Sequence, residues 1–148
     1  MLGYYEDDEA TKEVMKDGYF CSGDIGKIDE DGYIYVTGRS KNVIVTQNGK
    51  NIYPEEIEDK LNSMAMVNES IVLQKGDKLV GLVHPDMDEA NTLGFTQEDL
   101  ENIMEQNRKE LNEQIPTFAK LSRILLHDQE FEKTAKKSIK RYLYQDAI

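Results

Sequence analysis

Apolar and polar residues change rhythm several times along this chain, and each change marks an element. Residues 27–36, Lys27-Ile28-Asp29-Glu30-Asp31-Gly32-Tyr33-Ile34-Tyr35-Val36, place apolar positions on both sides of an Asp-Gly turn, which predicts a β-hairpin. Val43-Ile44-Val45 is a β-branched run bounded by polar residues, and it reads as a strand. Asn48-Gly49 follows as the strongest short turn signal, because both residues tolerate positive φ. Pro54 then suits the first turn of a helix, where its missing N–H costs nothing, and Glu55, Glu56 and Glu58 follow where negative charge meets the positive helix end. Ile57 and Leu61 give that helix an apolar face.

Val67 with Ile71-Val72-Leu73, and then Leu79 to His84, predict two strands joined at Lys75-Gly76-Asp77-Lys78. The polar residues 85–93 predict a loop. Thr96-Gln97-Glu98-Asp99 caps a helix on which Leu100, Ile103, Met104, Asn107 and Leu111 keep helical spacing up to Pro116. Arg123 to Leu126 predicts a third strand, and residues 131–144 close with a short helix. At the other end, residues 7–16 predict a short acidic helix, with Val14 and Met15 as its apolar contacts and Asp17-Gly18 as its turn. The fold class is α+β: from residue 42 onward a small sheet of about three strands is flanked by helices. Residues 1–40 read as a hairpin and short helix that packed on something larger, with the boundary at Ser40-Lys41.

Composition narrows the functions. A net charge of −11, from 18 basic and 29 acidic residues, repels phosphate backbones and argues against nucleic acid as a partner. No apolar run approaches the roughly 20 residues of a membrane span. The acidic stretch Glu6 to Glu9 is the wrong sign for a secretory signal, and the abrupt Met1-Leu2-Gly3-Tyr4-Tyr5 start reads as a cut or decayed reading frame. The single Cys21 cannot form an internal disulfide, which fits a reducing cytoplasm, and in Tyr19-Phe20-Cys21 it reads as a small buried hydrophobe. His84 and His127 pair with no cysteine or histidine at metal spacing, so no metal site is expected.

Three stretches together carry a resemblance. Gly38-Arg39-Ser40-Lys41, Gly49, and Ile52-Tyr53-Pro54-Glu55-Glu56-Ile57-Glu58 resemble the hinge and following loop of the adenylate-forming enzymes. Upstream, Gly3-Tyr4-Tyr5, Ala10-Thr11 and Ser22-Gly23-Asp24 resemble the end of that family's large N-terminal domain, with Ser22 in place of a threonine. Downstream, Lys133-Thr134-Ala135-Lys136-Lys137-Ser138-Ile139-Lys140-Arg141 resembles the closing motif, roughly Lys-Thr-x-x-Gly-Lys-Ile-x-Arg. The resemblance implies that residues 1–40 are the remnant of the AMP-binding domain and that 41–148 form the small mobile C-terminal domain. The complete enzyme would be a fatty-acid–CoA ligase of the longer-chain branch: MgATP and a carboxylate give acyl-AMP, and CoA then displaces AMP. The phosphate loop, the Mg2+-binding glutamate and the acyl pocket would lie in the missing N-terminal domain, so this fragment alone is expected to be inactive. The complete enzyme is expected in the cytoplasm, without a transmembrane segment and with room for peripheral membrane association.

The same resemblance assigns roles. Asp24 would accept hydrogen bonds from the ribose hydroxyls, Arg39 would contact the nucleotide, Lys41 would be the hinge, and Gly49 would line the pantetheine channel. The tail departs from the pattern: the family's catalytic lysine falls on Ser138, and Lys137 occupies the usual glycine position. Either Lys137 stands in for that lysine or the charge is lost. An adenylation domain that loads a carrier protein, and a non-catalytic interaction module, are the two other readings.

Overall fold

Alternation along the longest strands decides how this protein is layered. The computed structural model describes residues 1–148, which divide into two compact units, Met1–Asn42 and Val43–Ile148.

In the larger unit, β5 (Ile44–Val45) pairs antiparallel with β6 (Asn51–Ile52), and helix α2 (Pro54–Leu61) follows with Pro54 in its first turn. A three-stranded sheet is built from β7 (Val67–Lys75), β8 (Lys78–Pro85) and β9 (Leu121–Leu126), with β8 in the middle. The first pair is antiparallel and joined by a tight turn; the second is parallel. A parallel pair needs a long crossover, and helices α3 (Met87–Leu93) and α4 (Gln97–Gln114) supply it.

Both faces of this sheet are buried. Val72, Leu79 and Val83 join Ile57 and Leu61 of α2 and Leu100, Met104 and Leu111 of α4 in one core. Ile71, Leu73, Val80 and Leu82 form the other core with Phe131, Tyr144 and Ile148. The C-terminal segment therefore covers the face that the helices leave open. Burial on both faces explains why β7 and β8 read as continuous apolar runs. Gly81 is the exception in β8: a Cβ there would lie 3.2 Å from Leu121, 3.3 Å from Ile124 and 3.6 Å from Leu61.

The predicted cap of α4 is present in full: Thr96 and Asp99 satisfy each other's backbone N–H groups. Asn107, buried on this helix, donates to the Ala65 carbonyl at 2.8 Å, so its burial leaves its amide partnered. The expectation of a loop at 85–93 is corrected, because Pro85 ends β8 and Met87–Leu93 is helix α3. Asp86 accepts from the Glu89 N–H, and Gly94 ends the helix in the left-handed region at φ 72°. Only Ala90 is buried on it, so no apolar stripe marks it in the sequence. The closing segment forms 3-10 turns at Arg141–Leu143 and Gln145–Ala147 in place of a regular helix.

The smaller unit has helix α1 (Asp8–Val14), capped by Asp7, then the short pair β1 (Met15–Lys16) and β2 (Tyr19–Phe20) around a turn with Asp17 and Gly18 at positive φ. The predicted hairpin follows as β3 (Asp24–Ile28) and β4 (Ile34–Arg39). Asp29 closes its turn by accepting from the N–H groups of Asp31 and Tyr33. These contacts hold the Asp29 carboxyl below the usual range, the Tyr33 N–H contributing most. Cys21 is exposed, which corrects its reading as a buried hydrophobe: Tyr19 and Phe20 beside it are exposed too, so there is no apolar shell for it to enter. No helix of the protein is long and apolar enough to cross a membrane.

Candidate functional site

Strand register brings two of the candidate residues together. Asp24 at the start of β3 is the partner of Arg39 at the end of β4, and the Arg39 Nε lies 3.0 Å from the Asp24 carboxylate. The guanidinium also donates to the Ser22 carbonyl at 3.0 Å. Both side chains remain partly open to solvent, so the pair itself contributes little stability. What it provides is a carboxylate and a forked cation fixed side by side, each with hydrogen-bonding capacity to spare. Lys41 lies in the 3-10 turn Ser40–Asn42 and is exposed.

Gly49 is in the left-handed region at φ 71°, in a turn closed by the Thr46 N–H to the Lys50 carbonyl at 2.9 Å. Next to it, the Lys50 ammonium sits 4.6 Å from the centre of the Phe118 ring, an ordinary cation–π distance. Phe118 is 42% exposed although it belongs to the 3-10 turn Thr117–Ala119. Ile44, Thr46, Gln47, Asn48 and Gln74 line a shallow depression with this pair. Sequence reasoning missed Phe118 and Lys50. The only signal was an aromatic just past Pro116, and its proximity to the Gly49 turn is a tertiary fact.

The closing motif is a tight, outward-facing turn. Lys133 and Ile139 form an isolated antiparallel bridge. Between them the Thr134 N–H donates to the Ser138 carbonyl at 2.8 Å, and the Lys137 N–H donates to the Thr134 carbonyl at 2.8 Å. Lys137 adopts φ 62°. The resemblance assigns a glycine to this position, and glycine is the residue that adopts a left-handed backbone without strain. Ser138 is exposed, with its N–H 3.3 Å from the Thr134 hydroxyl.

The basic run is not one solvated face. Lys133 pairs with Glu69 of β7, and Lys140 pairs with Glu132 at 2.9 Å; these bonds hold both ammonium groups above the usual lysine range. Arg141 forks onto Glu58, with Nη1 to Oε1 at 2.5 Å and Nη2 on Oε2. Glu58 is 6% exposed and also accepts from the Val72 N–H at 2.5 Å. Burial pushes the Glu58 carboxyl above its ordinary range, while Arg141 and the Val72 N–H pull it back. Glu58 is the fifth residue of α2, past the first turn, so its expected role at the helix end is corrected: it is the buried partner of Arg141. Lys136 and Lys137 are the cations of the run that remain exposed and outside any ion pair.

Comparison with known proteins places this geometry in a family. Residues 41–147 match the AMP-binding enzyme C-terminal domain. Among curated relatives, the chain is 39% identical over 79 residues to the long-chain fatty-acid–CoA ligase FadD15 of Mycobacterium tuberculosis, covering 53% of this chain and 13% of that protein. It is 40% identical over 81 residues to the 2-succinylbenzoate–CoA ligase of Bacillus cytotoxicus, covering 55% of this chain and 17% of that protein. Among solved structures, ATP-bound MatB from Rhodopseudomonas palustris superimposes with a TM-score of 0.66 at 26% identity, over 98% of this chain and 28% of that one. The chain thus spans less than one fifth of the length of these two curated relatives.

Proposed function

The chain belongs to the C-terminal domain family of the AMP-binding enzymes, and from that premise we propose that it serves as the mobile C-terminal part of an ATP-dependent acyl-CoA ligase. In this reading residues 1–40 are the end of the large AMP-binding domain. Asp24 and Arg39 face the nucleotide, and Lys41 is the pivot about which residues 41–148 turn between two reactions. A hinge needs local backbone freedom, and two ligand sets that each favour one orientation supply the driving force. ATP with Mg2+ is held by the large domain. A long-chain fatty acid is the proposed acyl substrate, supported by the name of the M. tuberculosis relative. The cytoplasm is the proposed location.

One observation favours CoA over a carrier protein as the acyl acceptor. The Gly49 turn lies beside an exposed aromatic ring with an ammonium group stacked on it. Free CoA carries a purine and phosphates at the end of its pantetheine arm, and Phe118 with Lys50 offers a stacking face and a point charge for them. A carrier-bound arm has no purine to stack. Calorimetric titration of the chain with CoA and with pantetheine tests this: CoA is expected to bind more tightly, and Phe118→Ala is expected to remove the difference. Equal binding of the two ligands would return the carrier-protein reading to first place.

In the adenylation step the exposed ammonium of Lys137 is the proposed substitute for the lysine missing at Ser138. The full-length enzyme with Lys137→Ala is then expected to lose pyrophosphate exchange by ~10²–10³-fold, the usual effect of removing one preorganised charge donor. Transfer of CoA onto preformed acyl-AMP should be nearly intact. Lys136→Ala controls for general loss of basic charge. Unchanged exchange in both variants would leave the adenylating charge to the large domain.

A further inference from the structure

The pair Glu58–Arg141 joins two motifs that are far apart in sequence. Glu58 ends the motif that begins at Ile52, and Arg141 ends the motif that begins at Lys133. The contact is bidentate and nearly buried, and it closes further through the Val72 N–H and C=O, which meet Glu58 at 2.5 Å and Arg141 at 3.4 Å. Glu55 adds a second carboxylate 3.7 Å from the same guanidinium. A buried ion pair of this kind is often no more stabilising than two well-packed apolar residues, because both charges must be stripped of water. Its distinctive property is geometric: two parallel hydrogen bonds fix the direction of a planar group, not only its distance.

That direction matters because of what lies next along the chain. Between Ser138 and Arg141 the backbone has little freedom: Ile139 bridges to Lys133, and the Lys140 N–H donates to the Glu132 carbonyl at 2.9 Å. On the other side of the turn Lys133 is tied to Glu69. The turn Thr134–Ser138 is therefore exposed at its tip and clamped at both feet, one on β7 and one on α2.

We infer that Glu58 and Arg141 are positioning residues for the turn that carries Lys137 and Ser138. They act through the turn and touch no substrate. The inference rests on the ligase reading only for the claim that this turn is the reactive one; the clamp itself is a property of the 148-residue chain.

Amide hydrogen exchange on the chain and pyrophosphate exchange by the full-length enzyme test the two parts separately. The variants are Glu58→Gln, Arg141→Lys and the apolar double replacement Glu58→Met with Arg141→Met. In the double variant the β8 amides of Val80 to Val83 should keep their protection, while the Thr134 and Lys137 amides exchange about tenfold faster or more, because local opening is uncoupled from the sheet. In the enzyme the same variant should lower kcat for pyrophosphate exchange about 10–100-fold, as misplacement of a reacting group does, with KM for ATP little changed. Arg141→Lys should recover part of both losses, since it keeps the charge and loses the fork. Should the double variant fail to fold, Glu58→Gln carries the same comparison. Turn amides that stay protected, or that loosen only in step with β8, would overturn the inference. An unsubstituted enzyme with no pyrophosphate exchange, together with turn amides that respond as expected, would sink the ligase reading and leave the clamp standing.

Discussion

Residues 1–42 and 43–148 solve the same folding problem in different ways. In the smaller unit the turns and caps are closed locally: Asp7 caps α1, Asp29 closes one turn, and Asp17-Gly18 closes another. Gly38 is the one residue of this unit that is buried, while Tyr5, Tyr19, Ile28, Tyr33, Ile34 and Val36 are exposed. In the larger unit a sheet is covered on both faces, and residues as far apart as Ile71 and Ile148 share one core. The difference teaches that well-formed turns specify a hairpin's shape without supplying the burial that stabilises it.

The largest effect comes from separating the two. A peptide of residues 1–42 is expected to be mostly unstructured in water, whereas residues 43–148 are expected to unfold in one cooperative transition. Circular dichroism during thermal unfolding checks both. A cooperative transition in the 1–42 peptide would break the comparison, because it would show that local turns and caps suffice.

Two glycines sharpen the contrast at the level of single atoms. A Cβ on Gly81 would meet side-chain ends, which can shift by a few tenths of an ångström. Gly81→Ala in the 43–148 unit is expected to cost about 1–3 kcal/mol, the range for overpacking a core, read by urea unfolding. A Cβ on Gly26 would lie 2.7 Å from the Tyr35 carbonyl oxygen, which is backbone and cannot rotate away. Gly26→Ala should therefore displace the register at the bulge between Ile25 and Gly26. Cross-strand NMR contacts between Asp24 and Arg39 report it, and retention of those contacts would mean that the hairpin absorbs the clash by a local twist.

How much of this was readable in the sequence follows the same division. Turns and caps are local, so Asp31-Gly32, Asn48-Gly49, Pro54 and the Thr96–Asp99 box were all legible. Helix α3 carries a cap at Asp86 and a stop at Gly94, but without an apolar stripe its polar residues read as a loop. The three sheet strands were legible from their apolar runs. The pairing of Glu58 with Arg141 was not, because both residues already had plausible local roles and are separated by 83 positions. Phe118 beside Lys50 was hidden for the same reason. At Lys137 the departure from glycine was visible, whereas the left-handed backbone that glycine serves became apparent only in the structure.

That backbone gives a smaller effect. Lys137→Gly is expected to stabilise the 43–148 unit by about 1 kcal/mol, the cost of holding a residue with a Cβ in the left-handed region, less the entropy glycine gains when unfolded. Urea unfolding checks it. Paired with Ser138→Lys it gives the Gly-Lys order of the motif the chain resembles, and on the proposed ligase reading pyrophosphate exchange in the full-length enzyme should then recover from the loss of the Lys137 ammonium. A double variant as inactive as Lys137→Ala would show that position 138 no longer points where the charge is needed.

The smallest effect separates local turns and caps from the buried core by the sign of a carboxylate's response to acid. Asp29 in the hairpin turn and Asp99 in the α4 cap both sit below their ordinary range, held there chiefly by the Tyr33 N–H and by Thr96. A carboxyl with a lowered folded-state value contributes stability above its unfolded value, near 3.9 for aspartate, and that contribution is lost as pH falls through the folded value. Glu58 runs the other way. Its folded value is raised, chiefly by burial, so its contribution is complete below the unfolded value, near 4.3 for glutamate, and is lost as pH rises through the folded value. Between pH 5 and pH 2, then, the hairpin turn and the α4 cap should loosen while protonation of Glu58 opposes unfolding. Asp99 is exposed and Asp29 only half-buried, so the effect is slight, and it is best read residue by residue from NMR titration of carboxyl carbons. An Asp29 titration midpoint at the ordinary aspartate value would show that its two turn hydrogen bonds do not persist in solution. A Glu58 midpoint below the ordinary glutamate value would show that the Arg141 fork outweighs burial, and the clamp would then strengthen toward neutral pH.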